Sequence, residues 1–362
     1  MLLCVAACGG PSSTGPAKPC GVVPAVPSTS AAAAEAAGAP GLWSWDGSRW
    51  AWLANEPPPG PRVIDIGVSG GIAFDPVTSQ VVHLNETGTH IWNGLRWIDA
   101  ASGVNPSPRL DAQLAFDRTR RVVVLFGGRE MNPAGPHGKY LNDTWTWDGS
   151  QWHQKTPASS PDFGFLAANM VWDDARQVVV LFGATRDQAG GGVVSATWEW
   201  DGADWRHVAP ADSPPQRYDG AMAFDGARQD SVLFGGFGLS PDRDFSDTWT
   251  WDGTAWVQRF PLHDPAGTPV GNGLPGPYQG SVNSAAMSYD PTRKVVVLVT
   301  TAPQGVRTWF WDGSDWTVQP TTVSPRATAF MSATYDTSSH RLLLLLYADP
   351  VPFLGPCQGG LF

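Results

Sequence analysis

The sequence predicts an all-β fold, a six-bladed propeller with four antiparallel strands in each blade. Three observations predict it. An aromatic-rich strand that ends in a tight turn and restarts on a tryptophan recurs six times. The copies are spaced about fifty residues apart, and a repeat of that length built only from short strands buries its faces by stacking into a ring. The composition agrees: Gly 41 and Pro 33 among 362 residues, with only 15% charged, suit many short strands joined by turns.

The copies read WSWDGSRW from Trp43, HIWNGLRW from His90, TWTWDGSQW from Thr144, TWEWDGADW from Thr197, TWTWDGTAW from Thr248 and TWFWDGSDW from Thr308. Their turn residues Asp46, Asn93, Asp148, Asp201, Asp252 and Asp312 lie 47, 55, 53, 51 and 60 apart. The repeat from Arg109 to Gln154 shows the unit in order. Leu110 to Phe116 is a first strand of small and apolar residues, suited to a crowded central channel. Asp117 to Arg120 is a turn in which the aspartate caps its own backbone. Val122 to Phe126 is a β-branched apolar run, buried on both faces. Gly127-Gly128 breaks the ladder where backbone bends or comes close. Thr144 to Trp147 is the third strand, Asp148-Gly149 reads as a two-residue type I′ hairpin turn, and Trp152 opens the fourth strand. Second strands recur at Val81, Val178, Ser231, Val295 and Leu342.

VVVLFGG, followed by Trp145 and Trp152, resembles the mark of the kelch family: four hydrophobics, a glycine pair, then an aromatic and a tryptophan seven positions apart. Trp43/Trp50, Trp198/Trp205, Trp249/Trp256 and Trp309/Trp316 keep the spacing, and His90/Trp97 deviates. The glycine pair returns at Gly235-Gly236 and is half kept at Gly183-Ala184, while Glu86-Thr87, Thr300-Thr301 and Ala348-Asp349 replace it. The resemblance covers Leu42 to Ala348 and implies a propeller of the kind found in the central domain of galactose oxidase. Seventeen of the 19 tryptophans fall in the repeated motifs. A ligand site needs no six copies, so they are expected to pack blade against blade.

The chain enters the ring with a third and a fourth strand (Leu42 to Trp45, Trp50 to Leu53). It leaves with a first and a second (Thr328 to Tyr335, Leu342 to Tyr347). The two halves are expected to form one composite blade, a two-plus-two closure that leaves no long free edge. One face then carries the WDG turns and the turns at Asp75, Asp117, Asp173, Asp225, Asp290 and Asp336, alike in every blade. The other carries the entries to the first strands and the loops after the glycine pairs, which vary: Arg129 to Asn142, Thr185 to Ser195 and Phe237 to Ser246 are long, Thr87-Gly88 minimal. Function is expected on the variable face. Four first strands are entered through Arg62, Arg109, Arg217 and Arg326, with Asp111 and Asp219 two residues beyond two of them. Phe163, Tyr218 and Tyr278 stand at entries as well. In kelch domains that bind peptides, polar residues near this entry line the channel mouth, so these nine residues are the candidate ligand-binding set. The competing reading is that each arginine bonds backbone carbonyls as a tie within the scaffold.

The two ends belong elsewhere. Residues 1–8 resemble the end of a bacterial lipoprotein signal, with Val5-Ala6-Ala7-Cys8 matching the lipobox, which implies a lipid on Cys8. Only seven residues precede Cys8, with no basic segment, so a start placed late is expected. Residues 9–41 are a Pro/Ala/Ser/Gly tether, 42–348 the propeller and 349–362 a tail. Cys4 would leave with the signal. Cys20 and Cys357 remain as a possible disulfide across the chain ends in an exported, oxidising setting. The expected location is therefore the cell surface or periplasm, with the membrane reached only through the lipid.

Net charge is −10 and only Lys18, Lys139, Lys155 and Lys294 are lysine, so no basic stripe is present to meet nucleic acid. The seven histidines are scattered without the spacing of a metal site, and no cofactor is expected. Copper oxidases on kelch propellers need a tyrosine–cysteine crosslink, and no cysteine lies within the ring. Sialidases use a different turn motif. Kelch-type sugar epimerases use Glu, His and Arg at the mouth, which Glu86, Glu130, His137 and Arg109 imitate only loosely. The expected function is therefore a monomeric, non-catalytic module outside the cytoplasm that captures a protein segment or a glycan on its variable loop face. The alternative is a carbohydrate-active enzyme, epimerase- or lyase-like, with an acid/base pair at the channel mouth.

Overall fold

The computed structural model describes residues 40–55, 71–100, 103–130, 138–162, 168–186, 193–217, 219–239, 242–265, 285–302, 305–321, 323–326 and 331–347. The signal-like segment, Cys8, nearly all of the tether, the tail, Cys20 and Cys357 lie outside them, as do Arg62, Phe163, Tyr218 and Tyr278.

Strands β1 (Gly41–Trp45) and β2 (Trp50–Ala54) come first. Blade 1 holds β3 (Ile72–Asp75), β4 (Gln80–Asn85), β5 (Gly88–Trp92) and β6 (Trp97–Asp99). Blade 2 is built from β8 (Gln113–Asp117), β9 (Val122–Phe126), β11 (Thr144–Trp147) and β12 (Trp152–Lys155), with a small ribbon of β7 (Arg109–Leu110) and β10 (Arg129–Glu130) above it. Blade 3 comprises β13 (Asn169–Asp173), β14 (Val178–Arg186), β15 (Val193–Trp200) and β16 (Trp205–Val208). Blade 4 comprises β17 (Ala221–Asp225), β18 (Asp230–Leu239), β19 (Asp242–Trp251) and β20 (Trp256–Arg259). Blade 5 comprises β21 (Ala285–Asp290), β22 (Val295–Ala302), β23 (Gly305–Trp311) and β24 (Trp316–Gln319). The last strands, β25 (Met331–Asp336) and β26 (Arg341–Leu346), join the first two in a sheet of order β2-β1-β26-β25. There β1 runs antiparallel to β26 with Trp43 opposite Leu344, the two-plus-two closure read from the half repeats. Inner strands pack one against the next around the ring, and β25 against β3 completes it.

The tryptophans hold the blades together. Within each blade the last third-strand tryptophan packs on the first fourth-strand one, from 5.1 Å between ring centroids at Trp311–Trp316 to 5.7 Å at Trp92–Trp97. The fourth-strand indole also crosses to the preceding blade. Trp152, Trp205, Trp256 and Trp316 each donate Nε1–H to the hydroxyl of Thr89, Thr144, Thr197 and Thr248 at 2.9 Å, and Trp50 does so to Thr308 at 3.0 Å. A buried ring thus contributes its apolar area while its one polar atom is satisfied. Trp97 is the exception: Leu42 occupies the threonine register of the composite blade, and Trp97 donates to the Asn55 carbonyl instead (3.1 Å).

Two local expectations change. The WDG connection is a four-residue loop, not a two-residue type I′ turn. Asp148 Oδ1 accepts from the amides of Ser150 (2.8 Å) and Gln151 (2.9 Å), and only Gly149 takes a positive φ, of 97°. The aspartate serves as an Asx cap, so its backbone need not enter the left-handed region. The segments after the glycine pairs in blades 3 and 4 are strand where they are described: β14 pairs β15 as far as Arg186 and Val193, and β18 pairs β19 as far as Leu239 and Asp242, past the four-stranded sheets.

The first-to-second turns add a second set of ties. Asp117, Asp173, Asp225 and Asp290 cap their own turns and hold the arginine three residues on, at 2.6–2.8 Å. Each arginine then reaches the WDG turn of the next blade. Arg120 bonds the Asp201 carbonyl and Arg293 the Asp46 carbonyl, while Arg176 and Arg228 lie against Gly253 and Gly313. Blade 1 and the composite blade carry Thr78 and Ser339 at this register instead.

Candidate functional site at the channel mouth

Arg109 is 1% exposed, and its N–H groups are all engaged. Nε donates to the Ser107 carbonyl and Nη1 to the Gly127 carbonyl, both at 2.9 Å, and Nη2 meets Ser107 Oγ. Both Nη atoms clasp the Asp143 carboxylate, at 2.6 and 3.0 Å. Arg217 repeats the pattern in blade 4 with Pro215, Gly235 and Asp247, and lies 3.9 Å from the Phe245 ring centroid. Burial alone would raise the Asp143 and Asp247 carboxyls, but the arginine hydrogen bonds and charge outweigh it and hold both below the ordinary carboxylate range. Each aspartate also accepts an indole N–H, from Trp145 and Trp249, at 2.7 Å. In these two blades the guanidinium is a tie between the strand entry, the glycine pair and the third strand. Arg326, in a blade whose third strand offers no aspartate, is exposed.

Asp111 and Asp219 are placed differently. Both adopt a left-handed backbone, φ 59° and 54°, which interrupts the strand entry. That break splits the first strand of blade 2 into β7 and β8 where the sequence suggested one run. In blade 2 the chain folds back through Gly128, where a Cβ would meet the Leu110 carbonyl at 2.6 Å, and delivers Arg129 onto Asp111. The buried guanidinium donates Nε–H to Asp111 Oδ2 at 2.7 Å. In blade 4 the residue after the glycine pair is Phe237, not arginine, and Asp219 makes no hydrogen bond or ion pair among the described residues. Burial and the Asp111 charge push its carboxyl up to about 7, with Arg129 opposing.

Asp219 stands at the rim of a cavity of about 120 Å³ at the variable-face end of the channel. Its other polar lining comes from Gln113, Asn169 and Ser332, and Met170, Met222, Met287 and Met331 form much of the apolar wall. Asn169 is 6% exposed, and its Nδ2 has no hydrogen-bond partner among the described residues. That amide lies beside the backbone of blade 4, where a Cβ on Gly220 would sit 3.3 Å from Nδ2. A half-buried carboxyl and an unpaired amide therefore meet at one opening. Glu86 and Glu130 do not line it, and His137 lies outside the described residues. Toward the WDG face the channel widens to about 420 Å³ within a collar of Phe74, Phe116, Trp172, Phe224, Tyr289 and Tyr335. Some of these rings join buried clusters that span blade joints, Trp172 with Ala115 of blade 2 and Phe224 with Val171 of blade 3. Among the described residues no group of three or more His, Cys, Asp or Glu side chains is placed to hold a metal ion.

Sequence reasoning named Asp111 and Asp219 but missed Arg129 and Asn169. Arg129 had a readable signal, since it follows a glycine pair directly. Asn169 had none, because its register is filled by Gly71, Gln113, Ala221, Ala286 and Ser332 in the other blades.

No family model and no curated protein matches the chain. Among solved structures it is similar to that of YjhT, with a TM-score of 0.52 at 12% identity over 74% of this chain and 87% of that one. At that identity the likeness speaks for the propeller fold alone.

Proposed function

We propose that this propeller is a non-catalytic binding module that captures a ligand, a protein segment or a glycan, at the variable-face mouth of its channel. One observation carries the reading: the Asp219 carboxyl and the buried Asn169 amide converge on a single opening with no partner of their own. Buried polar groups without partners cost about 1–3 kcal/mol each, so a ligand that satisfies both gains what the free protein forgoes. The glycine-pair and tryptophan spacings support a kelch-type scaffold, and the lipobox-like Val5-Ala6-Ala7-Cys8 with its tether supports export and lipid anchoring. Glycan and peptide arrays probed with wild type, Asp219→Asn and Asn169→Ala test the site. Capture should fall roughly 10-fold or more in either variant and stay unchanged in Thr254→Ala, on the WDG face. Capture insensitive to both mouth substitutions overturns it.

A second reading has its own support. Asp111 is tied to a guanidinium, whereas Asp219 keeps its proton up to about neutral pH. That division between two carboxyls is what acid/base work on a carbohydrate requires. Conversion of a reducing sugar, followed by NMR and abolished by Asp219→Asn with binding retained, would favour this enzyme over the binding module.

A further inference from the structure

We propose that the channel mouth takes the basic side chain of a protein segment, a lysine or an arginine, which pairs with Asp219 while Asn169 donates to a carbonyl of the same segment. This rests on the binding reading above and names its ligand.

Blade 2 supplies the pattern. Asp111 and Asp219 share a register, a left-handed φ and a preceding arginine two residues back. In blade 2 the glycine pair hands over Arg129, whose guanidinium completes Asp111 at 2.7 Å. In blade 4 that place belongs to Phe237, which offers no charge. Among the described residues, the charges acting on Asp219 are the Asp111 carboxylate and the Arg129 guanidinium. Two carboxyls among the described residues therefore share one cation, and Asp219 has none of its own. An incoming ammonium or guanidinium supplies one in the manner blade 2 already uses.

The rest of the opening fits the stem that carries such a charge. Met170, Met222 and Met287 line the cavity with unbranched, adaptable side chains that accept a methylene chain. The unpaired Nδ2 of Asn169 is a donor, so it meets a peptide carbonyl and not the cation. An anionic ligand fits poorly, because the nearest guanidinium is already engaged with Asp111. The net charge of −10 steers basic segments toward the protein. Pairing needs Asp219 ionised, so capture weakens as pH falls below about 7.

The test uses the propeller with capped pentapeptides Gly-Gly-X-Gly-Gly, where X is lysine, arginine, acetyl-lysine or glutamine, and a neutral chito-oligosaccharide, titrated by NMR at pH 8. Lysine and arginine peptides should bind at least 10-fold more tightly than the acetyl-lysine peptide. Asp219→Asn should remove that preference without lowering the melting temperature. Phe237→Arg, which places an internal cation where blade 2 has one, should block capture. Lysine and acetyl-lysine binding alike, or an Asp219→Asn protein that keeps the preference, overturns the proposal. Oligosaccharide capture at the mouth without basic-peptide capture also overturns it but leaves the binding reading standing. Silence of every probe sinks both.

Discussion

Alanine in place of Arg109 or Arg217 leaves a carboxylate, a carbonyl of the glycine pair and a strand entry without their shared donor. Removing one partner of a buried ion pair costs about 3–5 kcal/mol. The lower end is expected here, because Asp143 and Asp247 keep some solvent (23% and 18% exposed). Calorimetry on Arg109→Ala and Arg109→Lys should show the larger loss for alanine and an intermediate one for lysine, which restores charge but not the two-pronged geometry. The two aspartates have lowered folded values, so their contribution is present above the ordinary carboxylate range and fades as pH falls through those values. Asp219 works in the opposite sense. Its folded value is raised to about 7, so the folded state holds a proton that the unfolded state releases near 4. It therefore lowers stability progressively as pH rises from about 4 to 7. Asp219→Asn should raise the melting temperature at pH 8 and leave it unchanged at pH 4; equal shifts at both would contradict the assignment.

At the scale of elements, the third strand of one blade and the fourth of the next are joined by a buried hydroxyl and an indole. Thr144→Val keeps the shape but strands the Trp205 N–H, and should cost about 1–2 kcal/mol. A double-mutant cycle with Trp205→Phe should show a coupling of about 1 kcal/mol; additive losses would mean that the bond is idle. This level was only partly legible in the sequence. Apolar runs and WDG repeats marked the strands because burial on both faces leaves a plain pattern. The continued pairing of β14 with β15 and of β18 with β19 was missed because glycine, threonine and arginine in them carry no alternation. The role of Arg109 and Arg217 was obscured for a related reason: their partner is an aspartate some thirty residues on. One signal did exist. Among the third strands only Asp143-Thr144-Trp145 and Asp247-Thr248-Trp249 begin with aspartate, and those blades pair it with an entry arginine. Blade 1 and the composite blade, with Arg62 and Arg326, carry no such aspartate.

For the whole molecule, the closure read from two half repeats has a direct consequence. Deleting residues 41–54 removes β1 and β2, opens the ring and uncovers the edge of β26, a run of five leucines. The product should aggregate and melt far below wild type, whereas deleting residues 9–39 should leave the transition in place. Equal melting temperatures would contradict the closure.

The joints around the ring are unequal. Those between blades 2 and 3, 3 and 4, 4 and 5, and blade 5 and the composite blade have both the indole–hydroxyl bond and an arginine reaching the next WDG turn. The joint from blade 1 to blade 2 keeps the indole bond and a Gly71 amide bonded to the Ala112 carbonyl at 2.9 Å, with Thr78 in the place of the arginine. The joint from the composite blade to blade 1 lacks both the threonine partner and the arginine, and is held by the Trp97 N–H on the Asn55 carbonyl, an apolar cluster and the Phe74 amide bonded to Thr334. A closed array of nearest-neighbour contacts gives way first at its weakest link. Blade 1, whose two joints both lack the arginine tie, is therefore expected to open first. Its amides in β3 to β6 should exchange with deuterium ahead of their counterparts in blades 3 and 4, and a protease that waits for transient opening should make its first cuts there.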